Sequence, residues 1–203
     1  HAVSKTFPLW HIWSTIEHVQ LYFGESRVQE AEPKIRAAHS RNPRIEWHMI
    51  GPLQRNKARR ACELFDVVQS VDRASLAESL SRIAQARQRS LRVFLQINID
   101  EEPSKAGVAP HAARRLLHDA AALPELRIEG LMAIPRLHED PEDMRPAFAR
   151  LRALADDLRA QAPESAPLSE LSMGMSDDFE IAIEEGATWI RVGSAIFGAR
   201  ENP

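Results

Sequence analysis

Along the chain, short and nearly continuous apolar runs alternate with longer stretches in which apolar residues recur every third or fourth position. Eight runs read as strands: Ala2–Lys5, Leu21–Glu25, Ile45–Ile50, Val67–Val71, Arg92–Ile99, Ile128–Ile134, Leu168–Met173 and Thr188–Val192. Most are rich in Val, Ile, Leu or Phe with little polar alternation, which is the pattern of parallel strands covered on both faces. Between them lie helical patterns. Ser75–Ala86 carries Leu76, Leu80 and Ile83 at helical spacing, Pro110–Leu123 opens on proline and carries Leu116, Leu117 and Ala120, and Arg145–Leu158 carries Phe148, Leu151, Leu154 and Leu158. Strand followed by helix, repeated at roughly 25 residues per unit, predicts an α/β fold: a single (β/α)₈ barrel of TIM type occupying residues 1–203. An open doubly wound sheet is the competing architecture, and the chain lacks its G-x-G-x-x-G fingerprint. No helix precedes the first strand, so a covering helix on the N-terminal side is expected to be missing. Phe7–Tyr22 falls where the first helix belongs but is unusually aromatic, with Trp10 and Trp13; either its outer face meets another surface or the segment is atypical.

Composition narrows the function classes. Apolar residues make up 44% and charged residues 27% of the 203, as in an ordinary globular domain. A formal charge of −3 gives no electrostatic reason to expect nucleic acid. No run of about 18 apolar residues is present, so no membrane span is expected. The lone cysteine, Cys62, allows no internal disulfide and reads as a small buried hydrophobe. A cytoplasmic protein, working as a monomer, is the expectation.

In a barrel of this kind the chemistry sits at the carboxyl ends of the strands. The first strand ends Ser4-Lys5-Thr6, the second Gly24-Glu25-Ser26, the seventh Met173-Gly174-Met175-Ser176, and the eighth runs Arg191-Val192-Gly193-Ser194. A lysine at the end of an apolar strand is partly desolvated, and the lowered ammonium pKa favours imine formation with an aldehyde; Lys5 also reads as an ordinary lysine past a strand end. Gly193-Ser194-Ala195 suits phosphate, since glycine allows close backbone approach and the serine adds a hydroxyl. Ser176 reads as the N-cap of a helix over Phe179–Glu185, closed by Gly186, and a helix N-terminus also binds phosphate. Asp177 and Asp178 oppose that reading, because their carboxylates would repel a phosphate if they turned inward. His48, within a strand, reads as a satisfied core histidine, and His111 and His118 as solvated. No metal-ligand spacing is present, nor any G-x-S-x-G or Walker-type motif.

AVSKT (2–6), FGESRVQEAEPKI (23–35), WHMIGPLQRNKAR (47–59), QSVDR (69–73), SKAGV (104–108), GLMAIP (130–135) and LSMGMSDDFEIAIEEGATWIRVGSAIFGAR (171–200) together resemble the pyridoxal phosphate homeostasis (YggS/PROSC-like) family over nearly the whole chain. The resemblance implies a barrel of the alanine racemase N-terminal type with pyridoxal 5′-phosphate bound as a Schiff base on Lys5. It implies a phosphate held by Ser176, Gly193 and Ser194, Arg191 near the pyridine nitrogen, and Ser26 where the family usually has the asparagine of F-G-E-N. The segment after Thr6 also departs from the family, which usually has lysine, proline and a polar helix there.

Three functions follow for comparison. The first is a carrier and regulator in vitamin B6 homeostasis with at most weak side activity and with PLP-dependent apoenzymes as prospective partners. The second is an amino-acid racemase of the same barrel type. The third is a barrel for another phosphorylated metabolite. Two-base racemisation needs an acid–base group on each face of the substrate. The only tyrosine, Tyr22, lies within or just before the second strand, and no second domain is present to deliver another. An arginine beside the pyridine nitrogen would weaken the cofactor as an electron sink, so binding without efficient catalysis is the expectation. Lys105, after the fifth strand, reads either as a second aldehyde acceptor or as a solvated loop lysine.

Overall fold

The computed structural model describes residues 1–5, 7–17 and 20–198. Seven parallel strands pair in chain order: β1 (Ala2–Val3), β2 (Tyr22–Glu25), β3 (Glu46–Met49), β4 (Val67–Val71), β5 (Leu91–Ile97), β6 (Leu126–Ala133) and β7 (Glu170–Ser172). The helices are α1 (Leu9–Glu17), α2 (Val28–Arg41), α3 (Ala58–Leu64), α4 (Ala74–Ala86), α5 (Ala113–Ala121), α6 (Arg145–Arg159), α7 (Phe179–Glu184) and the single turn α8 (Ser194–Phe197). The eighth predicted strand is not a continuous one. Its segment bridges β7 once, at Ser172–Trp189, and β1 once, at Ala2–Val192, and in doing so rounds the sheet into a barrel.

Most of the observed strands are shorter than the apolar runs, for local reasons. Leu168 adopts φ 48°, a left-handed backbone that cannot continue a strand, so β7 starts later than its hydrophobicity suggests. Beyond β5, Asn98 turns its side chain into the following loop, with Nδ2 donating to the Glu102 carbonyl at 2.7 Å and Oδ1 accepting from the Glu102 N–H at 3.1 Å. The aromatic segment after Phe7 forms α1 over part of its expected length, while His18 and Val19 lie outside the described residues. Ile12 buries against the barrel, the Arg41 guanidinium sits 4.6 Å over the Trp13 ring, and Trp10 is exposed.

Two apolar layers result from side chains alternating across each strand. Outward residues such as Phe23, Trp47, Val68, Leu91 and Leu95 pack against Ile35, Leu76, Leu80, Leu116, Phe148 and Leu151 of the helices. Inward, Val67, Phe94 and Met132 fill the barrel with Ile134 and Trp189. Fully burying side chains of this size is worth about 1.5–3 kcal/mol each, so the outer layer holds the helices in place. Cys62 belongs to that layer, and burial pushes its thiol up to about 11, which keeps it protonated and unreactive.

Candidate functional site

The period-two alternation continues past the end of β1 and decides what Lys5 can reach. Val3 and Lys5 turn into a cavity of about 180 Å³ at the carboxyl ends of the strands. Ser4 turns the other way, and its hydroxyl donates to buried Glu25 Oε1 at 2.7 Å. Lys34 of α2 closes this cluster, with Nζ donating to the Ser4 carbonyl and to Glu25 Oε1, both at 2.7 Å. The backbone just before Lys5 is thereby tied to two neighbouring elements. Thr6, which follows, lies outside the described residues.

The same cavity is lined by Ser26, Ser176, Arg191, Gly193 and Ser194, so all six residues singled out from the sequence meet in one place. Val3, Ile50, Ile134 and Leu137 supply its apolar walls. Ser26 is set by a close approach of backbones: a Cβ on Gly51 would lie 2.2 Å from the Ser26 carbonyl oxygen, so only glycine lets the loop after β3 pass under residue 26. A cleft of about 410 Å³ between α5 and α6, lined by Leu117, His118 and Leu158 among others, is larger but lies on the outer helical layer, away from the strand ends.

Ser176 behaves differently from its expected role as a helix cap. Asp178 is the residue preceding α7, and the Ser176 hydroxyl instead accepts from the backbone N–H of Gly193 at 3.1 Å and of Ala195 at 3.4 Å. It thus joins the turn after β7 to the turn that opens α8. Gly193 itself is not demanded by the protein. Its φ of −117° suits any residue, and an added Cβ would come no nearer than 3.4 Å to the Val3 carbonyl oxygen. The small residue leaves room inside the cavity, as close approach by a bound group would require. Asp178 points into its own turn, where Oδ1 accepts from the Met175 N–H at 2.6 Å. Burial raises the Asp178 carboxyl above its ordinary value, against the opposing pull of Arg191. Asp177 lines the cavity.

Arg191 is buried, and its guanidinium donates to Ser172 Oγ and to the Ala133 carbonyl, both at 2.8 Å. Burial lowers it to about 10, with Asp178 acting in the opposite direction, so it stays cationic at neutral pH. A fixed cation, a lysine amine and three serines around a glycine form a set that fits an anionic, aldehyde-bearing cofactor such as pyridoxal 5′-phosphate. Lys105 is not among the lining residues; it pairs with Glu102 at 3.5 Å in the loop after β5. Sequence reading missed Glu25, Lys34 and Ser172. Glu25 and Ser172 are polar residues inside apolar runs, and such a residue needs a partner once buried, whereas Lys34 lies in a polar stretch of α2 that carries no such signal. Among the described residues no group of three or more His, Cys, Asp or Glu side chains gathers as a metal site, and no helix is long and apolar enough to cross a membrane.

Residues 9–201 match the family described as alanine racemase, N-terminal domain. The pyridoxal phosphate homeostasis protein of Pseudomonas aeruginosa is 44% identical over 200 residues, covering 98% of this chain and 84% of its own length. The structure of PipY from Synechococcus elongatus with PLP bound superposes with a TM-score of 0.89 at 44% identity, covering 97% of this chain and 91% of that one. An alanine racemase of Clostridium difficile shares the fold, with a TM-score of 0.78 at 13% identity; 99% of this chain matches 55% of that longer one.

Proposed function

This chain belongs to the pyridoxal phosphate homeostasis family, with its alanine racemase N-terminal-type fold, and from that premise we propose that it is a cytoplasmic, monomeric carrier and regulator of pyridoxal 5′-phosphate. The observation that carries the reading is the convergence of Lys5, Ser26, Ser176, Arg191, Gly193 and Ser194 on one cavity from four separate parts of the chain. Lys5 would hold the cofactor by its aldehyde, and Ser176, Gly193 and Ser194 would hold its phosphate, the Ser176 hydroxyl now accepting from the Gly193 and Ala195 N–H groups. Arg191 would meet the pyridine nitrogen as a donor, with no proton to give up near pH 7. Ser26 would stand beside them on the cavity wall. A single barrel domain suffices for all of this.

Efficient turnover on amino acids is not part of the proposal. When bound, the cofactor supplies the electron-withdrawing group for amino-acid chemistry, but a racemase also needs a second acid–base group across from Lys5. Tyr22 begins β2, at the opposite end of that strand from Ser26, with its ring 5.2 Å from Trp189. Lys105 is paired within its own loop. Dependent apoenzymes are the proposed recipients.

Borohydride reduction of the cofactor-loaded protein, followed by peptide mapping, tests the assignment. The pyridoxyl group is expected on Lys5, and finding it on Lys105 or elsewhere refutes it. Chiral chromatography with a panel of L- and D-amino acids tests the carrier role. Racemisation at about one turnover per second, abolished in Lys5→Ala, would make the protein an enzyme.

A further inference from the structure

The interior of the barrel carries a line of polar side chains that starts at Arg191 and ends at Glu46, near the amino end of β3. Arg191 donates to Ser172 Oγ at 2.8 Å, Ser172 Oγ lies 2.6 Å from Gln69 Oε1, Gln69 Nε2 lies 2.9 Å from His48 Nδ1, and His48 Nε2 lies 2.7 Å from Glu46 Oε1. Ser172, Gln69 and His48 are all buried, on β7, β4 and β3 respectively. Glu46 is partly exposed and ion-paired with Arg92 at 2.9 Å.

The two ends fix the direction of every bond between them. A guanidinium can only donate and a carboxylate can only accept. Ser172 Oγ accepts from Arg191, so its proton is free to go to Gln69 Oε1. The Gln69 amide N–H then faces His48 Nδ1, which must be unprotonated, and the imidazole proton sits on Nε2 and goes to Glu46. Reversing the Gln69 amide would leave the Ser172 proton without this acceptor and put a proton on both imidazole nitrogens, a buried cation. Aligned in one sense, such bonds polarise one another.

We infer that Ser172, Gln69 and His48 are positioning residues for Arg191, fixing which of its N–H groups face the cavity and so how the site meets an aromatic ring nitrogen. The inference rests on the proposed binding of pyridoxal 5′-phosphate. None of the three lines the cavity, so each acts through Arg191 alone.

The test is a double-mutant cycle on the purified full chain, titrated with pyridoxal 5′-phosphate and read by its visible absorption and by tryptophan fluorescence. Gln69→Leu keeps the packing volume and cuts the line in the middle. It is expected to weaken binding about tenfold in the parent protein and less than about twofold in the Arg191→Gln background, because coupled residues are non-additive. It should also move the absorption band in the same direction as Arg191→Gln does. Equal losses in both backgrounds overturn the inference. If circular dichroism shows that Gln69→Leu is unfolded, Ser172→Ala, which deletes only a hydroxyl, takes its place in the cycle. His48→Gln, which offers an acceptor and a donor, should bind within about threefold of the parent while His48→Leu repeats the Gln69→Leu loss; parent-like binding by His48→Leu overturns the inference. A parent protein that does not bind the cofactor at all would instead refute the proposed function.

Discussion

Replacing Lys34 by Met is expected to destabilise the protein severely, although residue 34 does not line the cavity. The side chain of Glu25 is 0% exposed and that of Lys34 13% exposed, with 2.7 Å between their charged atoms. Without the ammonium, Glu25 keeps the Ser4 hydroxyl as a donor, while its second oxygen, Oε2, has no hydrogen-bond partner among the described residues. Removing one member of a buried ion pair costs about 3–5 kcal/mol because the other charge is left unanswered. The slight exposure of Lys34 argues for the lower half of that range, since water can partly replace it. For a chain of this length each kcal/mol moves the melting temperature by about 2–4 °C, so a fall of about 6–16 °C is expected. The double variant Glu25→Met, Lys34→Met removes both charges and should recover most of the loss, as buried pairs replaced by apolar residues often do. Thermal unfolding followed by far-UV circular dichroism measures all three differences. A Lys34→Met loss below about 1 kcal/mol, or a double variant worse than the single one, would refute the reasoning, since the pair would then be acting as a solvated surface pair.

Gly193→Leu is expected to weaken pyridoxal 5′-phosphate at least tenfold more than pyridoxal, measured by parallel titrations, if the phosphate lies against residue 193 (about 1.4 kcal/mol). Gly51→Ala should cost about 1–3 kcal/mol in urea unfolding, because its Cβ would stand 2.2 Å from the Ser26 carbonyl oxygen and the loop must give way. His48 is held well below its ordinary value, first by burial and then by Arg92, so the folded protein does not take the proton that an unfolded histidine takes below about pH 6.5. Stability should therefore fall as pH drops from about 7 to about 5, with this residue contributing up to about 1.4 kcal/mol per pH unit. In His48→Gln, which still faces Glu46, Arg92 and Gln69, that slope should be shallower by one proton; parallel curves in urea midpoints against pH would contradict it.

The strands and the longer helices were legible because burial on both faces leaves a dense apolar signature, and Val67–Val71 was read to the residue. The second helix was harder to see. Its buried positions are Val28, Ala31, Ile35 and Ala38, half of them alanine, and Pro33, a residue that argues against a helix, lies inside it. The closing segment reads as a strand by composition, yet its neighbours hold it only at single bridges. Lys5, Gly193 and Ser194 could be read from strand-end position and residue type. Ser176 has a different role in the structure from the one its local sequence suggests, because its partners lie 17 and 19 positions downstream and helix capping is the local reading of serine before two aspartates. His48, Gln69 and Ser172 belong to three different strands and form no motif. Only the demand of each buried polar group for a partner marks them, and that demand does not say which partner.

The closure of the barrel gives ligand binding a mechanical side. On the β1 flank of the closing segment, the Val3 N–H donates to the Val192 carbonyl at 2.8 Å and the Val192 N–H to the His1 carbonyl at 3.0 Å. This is a short seam compared with the seven paired positions between β5 and β6. Lys5 lies just beyond one lip of the seam, and Gly193 and Ser194 just beyond the other. A molecule covalently held by Lys5 and gripped at Gly193 and Ser194 would cross that joint like a stitch, so loading the site and keeping the barrel shut become one equilibrium.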